Sequence, residues 1–101
     1  MKYKIEILPT ALEDLKQIED YSALQFDMDT AIKVVNHILD VIERLEKFPD
    51  TGTLTPDKWL NTRGYRMVII KHYVAIYRMI ETAVYIYHIA DTRTEYTKLF
   101  F

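Results

Sequence analysis

The spacing of apolar residues changes along the chain, and each change marks a new element. Tyr3, Ile5 and Ile7 alternate with Lys4 and Glu6, the period of a half-buried strand, and Pro9 closes the run. "TALE", Thr10 to Glu13, has the form of a capping box, in which the threonine hydroxyl accepts from the third helical amide and the glutamate reaches back. Leu12, Leu15, Ile18 and then Tyr21 or Ser22 recur every three or four positions, so a helix runs to near Phe26 with Glu13, Asp14, Gln17 and Asp20 toward water. "DMDT" supplies an acidic cap for a second helix, along which Ile32, Val35, Ile38 or Leu39, Ile42, Leu45 and Phe48 keep helical spacing. So short a connection forces an antiparallel helical hairpin with one shared apolar side.

The stretch "FPDTGTLTPDKWLNT", residues 48–62, concentrates proline, glycine, threonine and aspartate and reads as a loop, which Trp59 and Leu60 pin to the core. Three alternating runs follow, Tyr65 to Ile70, Tyr73 to Ile80 and Ala83 to Ala90, separated by Lys71-His72 and Glu81-Thr82. Two-residue breaks imply hairpins, hence an antiparallel meander. "TRTEYTKLFF" is a short terminal helix or tail with Leu99 and Phe100 docked. The order β-α-α-β-β-β predicts an α+β fold: an antiparallel sheet with the helical hairpin on one face and the other face partly open, as one domain over residues 1–101.

Composition narrows the function. Half of the 101 residues are apolar, enough for one core. Cysteine is absent and the three histidines lack zinc-site spacing, so neither thiolate chemistry, a metal nor another cofactor is expected. No apolar run approaches the roughly 20 residues of a membrane span, and the N-terminus disperses its charges as a signal peptide does not, which points to the cytoplasm. The formal net charge of -2 conceals a balance of -5 over residues 1–50 and +3 over residues 51–101. Uneven halves suggest two faces with different partners.

In order and spacing, the capped hairpin, "FPDTG", "RGYR", "HYVAIYR" and "IADTRTEY" resemble the RelE/ParE superfamily of type II toxins, and the likeness covers essentially the whole chain. The resemblance implies the toxin of a plasmid-stabilisation system, held inactive by an antitoxin that folds on it. A ParE-like member arrests growth by binding a protein such as DNA gyrase; a RelE-like member cuts messenger RNA on the ribosome; an inactive, partner-binding module of the same fold is the third alternative. Fold alone does not choose among them.

Cleavage of RNA by its own 2′-hydroxyl requires a base, an acid and cations beside the phosphate. Arg66 shares a strand side with Val68 and Ile70, and Arg78 with Val74, Ile76 and Ile80. Arg66 matches the arginine that follows the loop in the family pattern, with Arg63 three residues before it as support. Arg93 and Tyr96 match the family's terminal functional segment. Arg66, Arg93 and Tyr96 are thus the leading residues for target or phosphate contact, with Arg63, Arg78 and His88 supporting; Lys71 and His72 are further candidates. Two departures weigh against RNA cleavage: Val74 stands where RNA-cutting relatives commonly place arginine, and Asp91 where many have histidine. The balance leans to the ParE-like, protein-directed mode.

Overall fold

A computed structural model describes residues 2–100; the expected limits at Met1 and Phe101 lie outside them. The elements are β1 (Lys4–Ile7), α1 (Pro9–Gln25), α2 (Met28–Glu43) continued by a 3-10 turn (Arg44–Glu46), β2 (Thr53–Leu54), α3 (Lys58–Thr62), β3 (Arg66–Ile70), β4 (Tyr73–Ile80), β5 (Ala83–Asp91) and a terminal 3-10 turn (Tyr96–Phe100). The predicted order is present, and the expected loop additionally folds into β2 and α3. The sheet runs β1-β5-β4-β3-β2. Its meander is antiparallel, as read, whereas β1 lies parallel to β5, so the whole sheet is mixed. Parallel pairing follows because the helical hairpin carries the chain from β1 back across one face before the meander begins.

The hairpin buries its own stripe imperfectly predicted from spacing. Ala11, Leu15, Ile18 and Ser22 turn inward from α1, while Leu12 and Tyr21 are exposed. Ala31, Ile38 and Ile42 turn inward from α2, followed by Leu45, while Ile32 and Phe48 are exposed. Small alanines let the helices approach each other and the sheet closely, which shifts the inward direction away from the bulkier neighbours. The capping box does not form. Leu8 takes the cap position with no side-chain bond, Pro9 supplies the fixed φ of the first helical residue, and the Thr10 hydroxyl donates instead to the carbonyl of Tyr87. The second cap is as predicted, Asp27 accepting from the amide of Thr30 at 2.7 Å.

Opposite the hairpin, Leu60, Tyr65, Val74, Ile76 and Ala90 form a second cluster, with Trp59, Tyr87, Tyr96 and Phe100 packed on it. The far face of the sheet is thus partly covered, by α3 and the terminal turn. The alternation of β5 reverses at a bulge where Tyr87 and His88 together oppose Ile76. Before it Val84 and Ile86 face the helices; after it Ile89 does.

Tyr77 is fully buried in the helix-side core, and burial pushes its hydroxyl above the usual tyrosine range. That hydroxyl donates to the carbonyl of Pro49 at 2.7 Å and accepts from the amide of Gly52 at 3.0 Å. A Cβ on Gly52 would overlap the Tyr77 hydroxyl and come within 2.6 Å of the Met67 carbonyl oxygen. Gly52→Ala is therefore expected to destabilise the fold by about 3 kcal/mol through overpacking. Tyr77→Phe, which strands a buried amide and carbonyl, should cost about 2 kcal/mol. Denaturant unfolding of the two variants checks both values.

Candidate functional site

The arginines that the sequence nominates are each held by the fold. Arg66, on the helix-covered side of β3, donates from one terminal nitrogen to the carbonyl of Gly52 at 2.7 Å. Arg63 follows α3, bonds the carbonyl of Trp59 at 3.0 Å and stacks over that ring at 3.8 Å from its centroid. Arg78 lies on the opposite side of the sheet from Arg66. It bonds the hydroxyl of Tyr87 through two nitrogens, at 3.2 and 2.7 Å, and stands over the rings of Tyr65 and Tyr87. In this position the guanidinium contributes cation–π attraction and cross-strand order.

His88 is half-buried at the bulge, its ring edge-on to Phe100 at 5.2 Å between centroids, and its Nδ1 lies 2.8 Å from the carboxylate of Asp14. The same carboxylate oxygen accepts from the amide of Ile89 at 2.9 Å. Asp14 was expected to face water. It does so only in part, because β1 pairs with β5 no further than Ile86 and the next stretch of that edge is closed by α1. No local pattern announces this: Asp14 and His88 are separated by 74 positions.

Arg93 grips Asp91 from the terminal segment, with its Nε and a terminal nitrogen on the two carboxylate oxygens at 3.0 and 2.8 Å and its backbone amide on the first at 2.8 Å. These bonds hold the Asp91 carboxyl down to about 2. The pair borders a cleft of about 460 Å³ between α1, β5 and the terminal segment, with Asp14, Gln17, Tyr21 and Tyr73 on its walls. Tyr96 stands elsewhere, in a separate apolar cleft of about 190 Å³ with Met67, Ile69 and Val74. Its hydroxyl donates to the Met67 sulfur at 3.7 Å, and burial, reinforced by Asp57, raises its titration above the usual tyrosine range. At neutral pH Tyr96 is a donor or a stacking surface, not a base. Val74, where a phosphate clamp was sought, is buried. Lys71 and His72 form the β3–β4 turn, Lys71 with φ 56.

Arg66 and Tyr96 therefore meet opposite faces of the sheet, and Arg93 opens on a third location. Arg66 also holds the loop, so Arg66→Ala should loosen the fold.

The Asp91–Arg93 pair makes a pH prediction. A depressed carboxyl contributes its stabilisation above the unfolded value, near 3.9, and loses it as pH falls through the folded value. Carbon-detected NMR should show Asp91 titrating near 2, and Arg93→Ala should return it to the ordinary carboxylate range. An unshifted Asp91 in the unmodified chain would contradict the pairing.

Residues 5–96 match the family described as the ParE toxin of type II toxin–antitoxin systems, parDE. Among solved structures, the fold is similar to the chromosomal ParDE toxin–antitoxin system from P. aeruginosa, with TM-score 0.77 and 20% identity over 89% of this chain and 96% of that one. It is also similar to the RelBE2 toxin–antitoxin complex from Mycobacterium tuberculosis, with TM-score 0.67 and 16% identity over 90% of this chain and 99% of that one. No curated protein sequence matches the chain. The family match spans nearly the whole fold, and the chain belongs to the ParE toxin family of type II toxin–antitoxin systems.

Proposed function

We propose that this ParE-type toxin arrests growth in the cytoplasm by binding a protein target such as DNA gyrase, and that a cognate antitoxin neutralises it. The observation that carries the protein-directed reading is the dispersal of the residues nominated for RNA chemistry. Transesterification of RNA needs a base, an acid and a charge-stabilising cation around one phosphate. Arg66 is held at the Gly52 carbonyl on one side of the sheet, Tyr96 lies against Met67 on the other, and Arg93 is paired with Asp91. Val74 is buried and offers no clamp.

Arginine and tyrosine on exposed or half-exposed positions serve protein recognition well, because both combine a flat apolar body with directed donors. In this reading Arg93 and Tyr96 contact the target, and Arg66 and Arg78 shape the surface that presents them. Among the described residues no helix is long and apolar enough to cross a membrane. An antitoxin segment that orders on the toxin would offset its ordering cost with buried area.

Induced expression in a bacterial host should give growth arrest with a DNA-damage response and intact messages, and the purified chain should inhibit supercoiling by gyrase. Messages cleaved inside codons would overturn the protein-directed reading. Arg93→Ala and Tyr96→Phe should each lower toxicity while both variants remain folded, as circular dichroism would show. Full toxicity in both would place the target contact elsewhere.

A further inference from the structure

We infer that β1 pairs with the β1 of a second copy of this chain, antiparallel about Ile5, so that two five-stranded sheets join into one. β1 is an edge of the sheet, with β5 on one side and no strand on the other among the described residues. The amide of Lys4 donates to the Thr82 carbonyl at 2.9 Å, and that of Leu8 to the Ile86 carbonyl at 3.0 Å. In a parallel ladder alternate residues turn both backbone groups to the same neighbour, so Lys4 and Glu6 face β5 while Ile5 and Ile7 face outward. Tyr3 faces outward as well, its amide donating to the Glu46 carbonyl at 2.7 Å. An uncovered edge of this kind is a template for pairing with another chain.

The edge is self-complementary. Antiparallel pairing centred on Ile5 sets Lys4 opposite the second copy's Glu6, Glu6 opposite its Lys4, and Tyr3 opposite its Ile7. The two Ile5 residues then exchange both backbone bonds, and each Ile7 amide reaches the other copy's Tyr3 carbonyl while the Tyr3 amide keeps Glu46. Lys4 and Glu6 fall at the non-hydrogen-bonded positions, where side chains directly across are closest and opposite charges attract. In one chain the two side chains pair with each other at 2.8 Å, and the lysine is 77% exposed. On the other side of the strand Tyr3, Ile5 and Ile7 pack on the helix-side core but stay only half-buried. The second copy lays the same three residues beside them and removes the remaining apolar surface from water.

Register and charge select this occupant. A shift of two residues sets Lys4 against Lys4 or Glu6 against Glu6, and a shift of one brings a charge onto the apolar side. A foreign strand of a single charge satisfies one of the two side chains and repels the other. β1 spans four residues, so the dimer is weak and exchanges with the monomer. The inference concerns self-assembly and stands apart from the toxin reading, so harmless expression leaves it in place.

Sedimentation equilibrium and ¹⁵N NMR of the purified chain over a rising concentration series provide the test. A monomer–dimer equilibrium is expected, with concentration-dependent shifts of the Ile5 and Ile7 amides and slowed exchange at Ile5. Lys4→Glu and Glu6→Lys should each raise the dissociation constant about tenfold, because like charges then face each other twice. An equimolar mixture of the two single variants should dimerise again, since every glutamate then meets a lysine, and a chain carrying both substitutions should match the unmodified one. Recovery on mixing separates lost pairing from lost fold. A chain that stays monomeric throughout the series overturns the proposal. So does dimerisation indifferent to both substitutions, a mixture no better than its components, or concentration-dependent shifts at Thr53 and Leu54 of the opposite edge in place of β1.

Discussion

A buried hydroxyl must find partners, and the Tyr77 hydroxyl finds them in a loop. It lies at the bottom of the helix-side core, donates to Pro49 and accepts from Gly52, while Arg66 binds the Gly52 carbonyl from the neighbouring strand. Leaving such groups unpaired costs about 1–3 kcal/mol each, so the loop after α2 has one strongly preferred seat. From that seat it delivers β2 to β3 and lets α3 cross the far face. The glycine is required because there is no room for a Cβ between Tyr77 and the Met67 carbonyl. The arginine that a functional reading singles out is here a support for the scaffold.

A second polar constraint positions the hairpin. β1 covers only the first part of β5, and beyond Ile86 the edge of β5 meets Thr10 and Asp14 of α1, which bond the Tyr87 carbonyl, the Ile89 amide and the His88 ring. The bulge at Tyr87 and His88 makes this possible by reversing the strand, so that Ile89 enters the core while Tyr87 and Ala90 turn to the far face. There Tyr87 meets Arg78, Tyr65 and Phe100 in a cation–aromatic stack. The result is a centre whose buried side-chain polar groups all find partners among the described residues. What remains open to partners lies at its margins: the cleft of Asp91 and Arg93, and the outer edge of β1.

The charge distribution fits that division. The acidic excess of the first half sits mostly on the solvent faces of the hairpin, yet the side of α2 toward β3 carries Lys33, His37 and Arg44. A net charge of -2 therefore describes neither surface. The arginines of the second half are largely engaged with carbonyls, rings and a carboxylate, so arginine content alone is no measure of a polyanion-binding face.

The sequence by itself determined whatever depends on neighbours a few residues apart. Strand alternation bounded β3, β4 and β5 to within a residue, helical spacing announced the hairpin, and Asp27 capped α2 as its position demanded. The likeness of "FPDTG" and "RGYR" to a toxin family was legible for the same reason, although the role of those residues was not. Tertiary structure alone decided the parallel pairing of β1 with β5, the bulge that reverses β5, the choice of Ala11 over Leu12 for the core, and the partners of Arg66, Asp14 and Tyr77. Those outcomes are settled between residues distant in sequence, such as Lys4 and Ala83 or Asp14 and Ile89, where the competition is for burial and for a hydrogen-bond partner across the fold, and periodicity along the chain carries no information about who wins it.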